Sequence, residues 1–123
     1  MKFADLNRKP LEYRKLSEMV ESLGLTEEHP DYGSTTAPVK VKNIWISLSS
    51  EYREDKKSAV AELADDFEGV ALNLPPHMIP VVEDILKDGE SLSMIARGKV
   101  GLAFYEYENK FGIQTGAFWV DLK

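Results

Sequence analysis

The chain contains no cysteine among its 123 residues. Disulfide bonds, thiolate nucleophiles and zinc–thiolate sites are therefore excluded, and such a composition is typical of a reducing compartment. No apolar run approaches the ~20 residues that a membrane-spanning helix requires, and residues 1–9 lack the apolar segment of a secretory signal peptide. We therefore expect a cytoplasmic protein that does not associate with a membrane.

The chain also lacks an excess of positive charge. Its 21 acidic and 15 basic residues give a net charge of −6. A protein that binds duplex DNA through bulk charge needs a basic surface, so the total argues against that mode of binding. Local strips of lysine and arginine are nevertheless compatible with a negative net charge.

Groups that perform catalysis are scarce. The two histidines, His29 and His77, each lie beside a proline and are far apart in sequence. Neither has the neighbours of a catalytic triad, and the glycines form no phosphate-binding motif. The acids around His29 are suitable metal ligands, but short acidic loops are usually just solvated. We expect no enzymatic activity, no metal site and no cofactor.

The first half of the chain is predicted to alternate between helices and one strand. Three- and four-residue spacing of apolar side chains predicts helices over residues 10–24 and 54–67. Residues 25–38 are polar and broken by Pro30 and Gly33, which predicts a long loop. Residues 39–49 predict a strand, with a β-bulge near Asn43 where the aliphatic phase shifts. The apolar side chains that define the second helix are Val60, Leu63, Ala64 and Phe67.

The second half has the clearest pattern. The expected elements are a short strand at 69–74, a helix at 78–87, a helical turn at 91–97 and a hairpin of strands 99–106 and 113–122 around a turn at 108–112. Together the elements predict an α+β fold with a curved antiparallel sheet and two or three helices. We expect a single domain over residues 1–123. Within it, residues 1–38 would form a helix-and-loop arm and residues 39–123 a sheet-containing core.

The terminal hairpin is the candidate binding site, because aromatic and basic side chains concentrate there. Tyr105 and Tyr107 share one face of the predicted strand, opposite Phe104. Displayed aromatic rings stack on unpaired bases, and nearby lysines meet the phosphates. The candidate nucleic-acid-binding residues are Lys40, Lys42, Trp45, Arg97, Lys99, Tyr105, Tyr107, Lys110 and Phe111.

Two alternatives remain open. Aromatic residues are favoured in strands for packing alone, so the same pattern also fits core or cross-strand contacts. Alternatively, the protein is an acidic inhibitor or adaptor that binds a protein partner and no nucleic acid. Its contact surface would be the acidic cluster Glu51, Glu54, Asp55, Glu62, Asp65, Asp66 and Glu68.

One family resemblance concerns the last third of the chain. The segment Gly98–Tyr107, followed by Lys110–Gly112 and Phe118–Asp121, resembles the C-terminal portion of small single-stranded-DNA-binding proteins of tailed bacteriophages. The resemblance implies an OB-fold β-barrel that coats DNA strands during phage or mobile-element replication or recombination. It also implies self-association and contacts with replication or recombination proteins. The residues it places against the ligand are Tyr105, Tyr107, Lys110 and Phe111.

Overall fold

The computed structural model describes residues 11–47 and 57–122. Eight strands and three α-helices occur in these two ranges, and all eight strands belong to one mixed sheet. The strands are β1 (Glu12–Arg14), β2 (Glu27–His29), β3 (Gly33–Thr35), β4 (Val39–Ser47), β5 (Ser58–Leu63), β6 (Val70–Asn73), β7 (Val100–Asn109) and β8 (Gly112–Asp121). The helices are α1 (Leu16–Leu23), α2 (Ile79–Leu86) and α3 (Gly89–Ala96). Short 3₁₀ turns at Asp65–Phe67 and Pro76–Met78 precede β6 and α2.

Strand β7 lies between β8 on one side and β4 and β3 on the other, and so joins the final hairpin to the rest of the sheet. One of its edges pairs with β8 over its whole length, and its other edge pairs first with β4 and then with β3. Strands β4, β5 and β6 continue outward as an antiparallel meander, and β1 runs parallel to β6 at the far edge. The α+β class is therefore confirmed, and the three helices of the described residues agree with the predicted number of two or three. The sheet is mixed, however, and because β6 and β8 do not pair it is not closed into a barrel.

The core lies between the inner face of this sheet and the helices. Phe104 and Leu102 point inward from β7 and are fully buried, together with Met19 of α1 and Val82 of α2. Helices α2 and α3 pack against β4, and α1 packs against β7 and β8. Within the described residues, no helix is long and apolar enough to cross a membrane.

The N-terminal helix is shorter than predicted. Only residues 16–23 are helical, whereas residues 12–14 form β1 and Lys15 remains extended, with φ −86° and ψ 156°. The spacing of apolar residues located the helix correctly. The three-residue strand β1 is stabilised by pairing with β6, and so short a strand has no recognisable pattern in the sequence. Gly24 ends the helix as predicted, with φ at 78°. Pro10 lies outside the described residues.

The long loop predicted at residues 25–38 is wrong. Strands β2 and β3 form a hairpin there, and the chain then runs along β7. Thr36 attaches this segment to β7, because its N–H donates to the carbonyl of Phe104 at 2.9 Å and its Oγ1 accepts from the Phe104 N–H at 3.0 Å. Strands this short, beside Pro30, have no periodicity that a sequence pattern reveals.

The helix predicted at residues 54–67 is also wrong where the structure describes it. Residues 58–63 are β5, which pairs with both β4 and β6. Ala59, Ala61 and Leu63 point into the core, so the apolar run fits a two-residue period as well as a helical one. Because residues 58–63 pair with a strand on each side, the segment is a strand and not a helix. Residues 54–56 lie outside the described ranges.

The remaining element predictions are confirmed. Strand β4 has a register shift between Val41 and Asn43, where the bulge was expected, although Leu48 and Ser49 lie outside the described residues. Strand β6, helices α2 and α3 and the final hairpin occur at the predicted positions. The hairpin turn is tighter than predicted, because Asn109 pairs with Gly112 across a two-residue loop.

Replacing Phe104 tests how much its burial in the core stabilises the fold. Phe104→Ala removes a fully buried ring, and we expect it to lower the free energy of unfolding by about 3–5 kcal/mol. The matched control is Phe111→Ala, because Phe111 is 77% exposed and its loss should change stability by less than about 0.5 kcal/mol. Urea denaturation followed by circular dichroism measures both. Equal effects of the two variants would contradict this description of the core.

Candidate nucleic-acid interface

The β7–β8 hairpin separates its side chains into an inner and an outer set. Cross-strand pairing places Ala103 opposite Phe118 and Tyr105 opposite Gly116, and paired residues point to the same side of a sheet. Tyr105, Tyr107 and Phe118 therefore share the outer face, whereas Phe104 points into the core. The predicted division of the hairpin aromatics into a buried and a displayed set is present.

A second hairpin contributes rings to the same face. Tyr32, in the turn between β2 and β3, stacks on Phe118 with ring centroids 4.4 Å apart and planes inclined by 13°. Its ring also lies 4.7 Å from that of Tyr105, and the rings of Tyr105 and Tyr107 are 5.9 Å apart. His29 lies 4.9 Å from both Tyr32 and Phe118. We call these five side chains the hairpin face.

Exposure differs along the hairpin face. Tyr107 is 45% exposed and Tyr32 38% exposed, whereas Tyr105 and Phe118 are partly buried. Burial, followed by the nearby phenols of Tyr32 and Tyr107, raises the pKa of the Tyr105 hydroxyl above its ordinary value. The phenol is therefore neutral at physiological pH. The rings of Tyr32 and Tyr107 are the parts of the hairpin face that are most open to solvent.

Gly116 makes room for the Tyr105 ring. A Cβ atom at Gly116 would lie 2.6 Å from the Tyr105 hydroxyl oxygen and closer still to the ring carbon that bears it. The ring therefore lies flat across β8 at a position of that strand where the side chain is absent. This contact holds Tyr105 close to Tyr32 and Phe118.

The tip of the hairpin carries an exposed ring and a cation. Phe111 is 77% exposed, and the Lys110 ammonium lies 5.1 Å from the centroid of its ring, within range of a cation–π contact. Asn109 Oδ1 accepts a hydrogen bond from the Phe111 N–H at 2.8 Å, which orders the loop. The tip thus adds an exposed ring and a positive charge at the end of the hairpin.

The base of the hairpin carries three further cations. Lys40 pairs with Gly101 and so points to the outer face, as Tyr105 does. Its side chain runs over Gly98, where an added Cβ would lie 3.2 Å from the Lys40 Cδ. Arg97 and Lys99 flank Gly98 and are exposed, and neither forms an ion pair with another described residue. Lys40, in contrast, lies 3.1 Å from Asp65.

Lys42 lies in the bulge of β4 and Trp45 lies beyond it, where β4 pairs with β5 and no longer with β7. The Lys42 ammonium is 3.3 Å from Glu62 and 3.6 Å from Glu68. The hydrogen bond to Glu62 is the main reason that the pKa of Lys42 is raised above its ordinary value. Trp45 is partly buried and lies opposite Val60 on β5. Of the predicted residues, Tyr105 and Tyr107 are brought into ring contact, whereas Lys42 and Trp45 lie on the part of β4 that pairs with β5.

The acidic cluster considered as a protein-binding surface is not on a helix where the structure describes it. Glu62 lies on β5, and Asp65, Asp66 and Glu68 lie in or beside the following 3₁₀ turn. Three of these carboxylates pair with Lys40 or Lys42. The other members of the cluster, Glu51, Glu54 and Asp55, lie outside the described residues.

Both histidines line one cavity of about 450 Å³, together with Asp31, Met78 and Trp119. The described residues contain no group of three His, Asp or Glu side chains placed to hold a metal ion. The Asp31 N–H donates to His29 Nδ1 at 3.1 Å, so this imidazole nitrogen has a local partner.

Sequence reasoning missed three members of the hairpin face as binding candidates. Phe118 lies in the predicted second strand of the hairpin but is not among the nine candidates, and Tyr32 and His29 lie in the segment predicted to be a long loop. The available signal was the alternation around Phe118, which puts it on the side opposite Trp119. No local pattern indicates that the turn containing Tyr32 folds over β8.

Substituting Gly116 tests how the hairpin face is assembled. Gly116→Ala should displace the Tyr105 ring, weaken its contacts with Tyr32 and Phe118, and cost about 1–3 kcal/mol of stability. Ring-current-shifted aromatic signals in the proton NMR spectrum and urea denaturation measure the two effects. Gly89→Ala is the control, because an added Cβ there meets nothing within 4 Å. Unchanged aromatic shifts in Gly116→Ala would show that the ring does not lie across β8.

No family model, curated protein sequence or solved structure matches this chain.

Proposed function

We propose that the protein binds single-stranded DNA on the hairpin face. The observation that carries the proposal is the strip of neighbouring rings on the outer side of β7 and β8, which is open at Tyr32 and Tyr107. The exposed ring of Phe111 lies at the tip of the same hairpin. Each base of an unpaired strand has a flat face that can stack on such a ring, whatever its sequence. Bases in a duplex are already stacked and are not available for this contact.

The distribution of charge supports the same ligand. Arg97 and Lys99 lie at the base of the hairpin and Lys110 at its tip, about 30 Å apart at ~3.3 Å per residue of strand. Glu106 and Glu108 alternate with the tyrosines and therefore point to the opposite face. A DNA strand that follows the hairpin would meet aromatic rings along its length and cations at both ends, although the net charge of the whole chain is negative.

The connectivity of β4 to β8 also favours this function. A three-stranded meander, a helical segment and a final hairpin whose first strand returns to β4 follow one another in the order of an OB barrel, which is often partly open. In this proposal β1 and α1 lie beside the gap between β6 and β8 and leave the outer edge of β8 unpaired, since β1 pairs with β6 and α1 packs against β8. The protein would then coat DNA during replication or recombination of a phage or mobile element.

The exposed rings provide the sharpest test. We expect Tyr107→Ala and Phe111→Ala each to weaken binding of a fluorescein-labelled dT oligonucleotide by about 5- to 150-fold, since one base–ring stack contributes about 1–3 kcal/mol. Fluorescence anisotropy at low salt measures the affinity. Both side chains are largely exposed, so neither variant should unfold the protein.

Two controls separate stacking from general damage. Tyr107→Phe keeps the ring and should bind within about twofold of the unmodified chain. Leu92→Ala removes a 38% exposed apolar side chain from α3, which packs on the inner face of the sheet, and should have no effect. Absence of oligonucleotide binding at low salt, or equal binding by all four variants, would refute the proposal and favour the acidic protein-binding alternative.

The cations predict a modest dependence on salt. With three cations that form no ion pair with another described residue, the logarithm of the affinity should fall with the logarithm of salt concentration at a slope of about −2, at roughly −0.7 per phosphate of a single strand. Combined replacement of Arg97, Lys99 and Lys110 by alanine should flatten this slope towards zero. Lys87→Ala, just after the end of α2, is the control for loss of a single cation away from the hairpin and should leave the slope unchanged. An unchanged slope in the triple variant would place the phosphates elsewhere.

A further inference from the structure

Strand β8 has one unpaired edge. Its ten residues pair with β7 on one side, and no described residue pairs with the other side. The Leu122 N–H donates to the Lys99 carbonyl at 2.7 Å. Since hydrogen-bonded pairs alternate in an antiparallel ladder, the even-numbered residues face β7 and the odd-numbered ones face outward. The outward N–H and C=O groups are those of Ile113, Thr115, Ala117 and Trp119.

This edge lacks the usual protection against strand pairing. Natural edge strands carry lysine, proline or inward-pointing charge, whereas Gly112 to Val120 contains no charged residue and no proline. The buried indole Nε1–H of Trp119 also has no hydrogen-bond acceptor within the described residues. At Trp119 the outward main-chain N–H and the indole N–H therefore both lack an acceptor among the described residues.

Two open cavities border the edge of β8, and we call them together the slot. At Ala117 and Trp119 the cavity of about 450 Å³ has His77 and Val81 on the inner side of the sheet and Tyr32 on the outer side. At residues 113–115 a second cavity of about 360 Å³ is walled by Lys15 and by residues 73–75. The segment from residue 73 to residue 81 borders both cavities, so together they follow the edge of β8.

The cavities beside the edge favour a single extended chain as the occupant. Paired strands lie ~4.8 Å apart, so an added strand has to fit between the residues that line the two cavities. A single extended chain can enter, because it presents donors and acceptors along its own edge. Addition of a peptide strand to a free sheet edge is an established mode of recognition.

We propose that β8 binds an extended segment of another protein as an additional strand. Alternate side chains of that segment would point towards Leu16, Leu74 and Met78, which are buried apolar residues at the inner wall. They should therefore be aliphatic or aromatic.

The charged residues that line the two cavities indicate which residue should flank the apolar positions of the bound segment. The cavity beside Ile113 carries Lys15 and no carboxylate, whereas Asp31 is the one carboxylate that lines the cavity beside Trp119 among the described residues. An acidic residue should accordingly lie at the end of the segment beside Ile113. The proposal does not depend on DNA binding, because the slot opens along the edge of β8 and the nucleic acid is proposed to lie on its outer face.

A library of random decapeptides displayed on phage and selected on the immobilised full-length chain tests the proposal. We expect enrichment of peptides with apolar residues at alternate positions and an acid at one end. Hydrogen exchange of the unmodified chain with an enriched peptide should then slow at the outward amides of Ile113, Thr115, Ala117 and Trp119. Enrichment no greater than on an uncoated surface, or protection confined to other segments, would overturn the proposal.

A matched pair of variants at Thr115 adds a second criterion. Thr115→Pro removes an outward N–H without removing a bond to β7, and should weaken binding of the enriched peptide by at least about tenfold. Thr115→Val keeps that N–H and should bind within about twofold of the unmodified chain. Both variants should keep their affinity for the dT oligonucleotide, which separates this proposal from the previous one. Equal peptide binding by the two variants, or a dimer in sedimentation that Thr115→Pro dissociates, would refute it.

Discussion

The alternation of side chains along β7 is the constraint on which the rest of the structure depends. Both edges of this strand are paired, so it can neither shift by one residue nor rotate without breaking two ladders. Phe104 and Leu102 are held in the core, and Tyr105 and Tyr107 are held outside it. Burial of one set of aromatic side chains therefore enforces display of the other.

The two hairpins depend on each other through the same strand. Thr36 bonds to the main chain of Phe104 on one edge of β7, and this brings the preceding β2–β3 turn over the sheet. Tyr32 then reaches Phe118 on the other edge. Ring contacts of this kind contribute ~0.5–1.5 kcal/mol each beyond the area that they bury. The hairpin face is thus part of the stability of the fold as well as a candidate binding surface.

Ion pairs explain how an acidic chain can present local positive charge. Lys40 and Lys42 are close to carboxylates of β5 and the following turn, which neutralises the region around the bulge. These pairs are exposed, and exposed pairs contribute little stability. Arg97 and Lys99 at the base of the hairpin and Lys110 at its tip have no such partners among the described residues. The acidic total therefore says little about the charge that a ligand would meet on the hairpin face.

Local periodicity was sufficient to locate α1, α2, α3, β4 with its bulge and the β7–β8 hairpin, and to place Tyr105 and Tyr107 on one side of β7. It failed for β1, β2 and β3, each of three residues, and for β5, whose apolar run suits a strand or a helix equally. It also failed to associate Tyr32 with Phe118 or to separate Trp45 from the tyrosines. Side-chain spacing is a property of neighbouring residues and can be read from a sequence. Strand pairing joins residues that are distant in sequence, and in this protein it was the tertiary structure that decided which rings meet and which edge remains free.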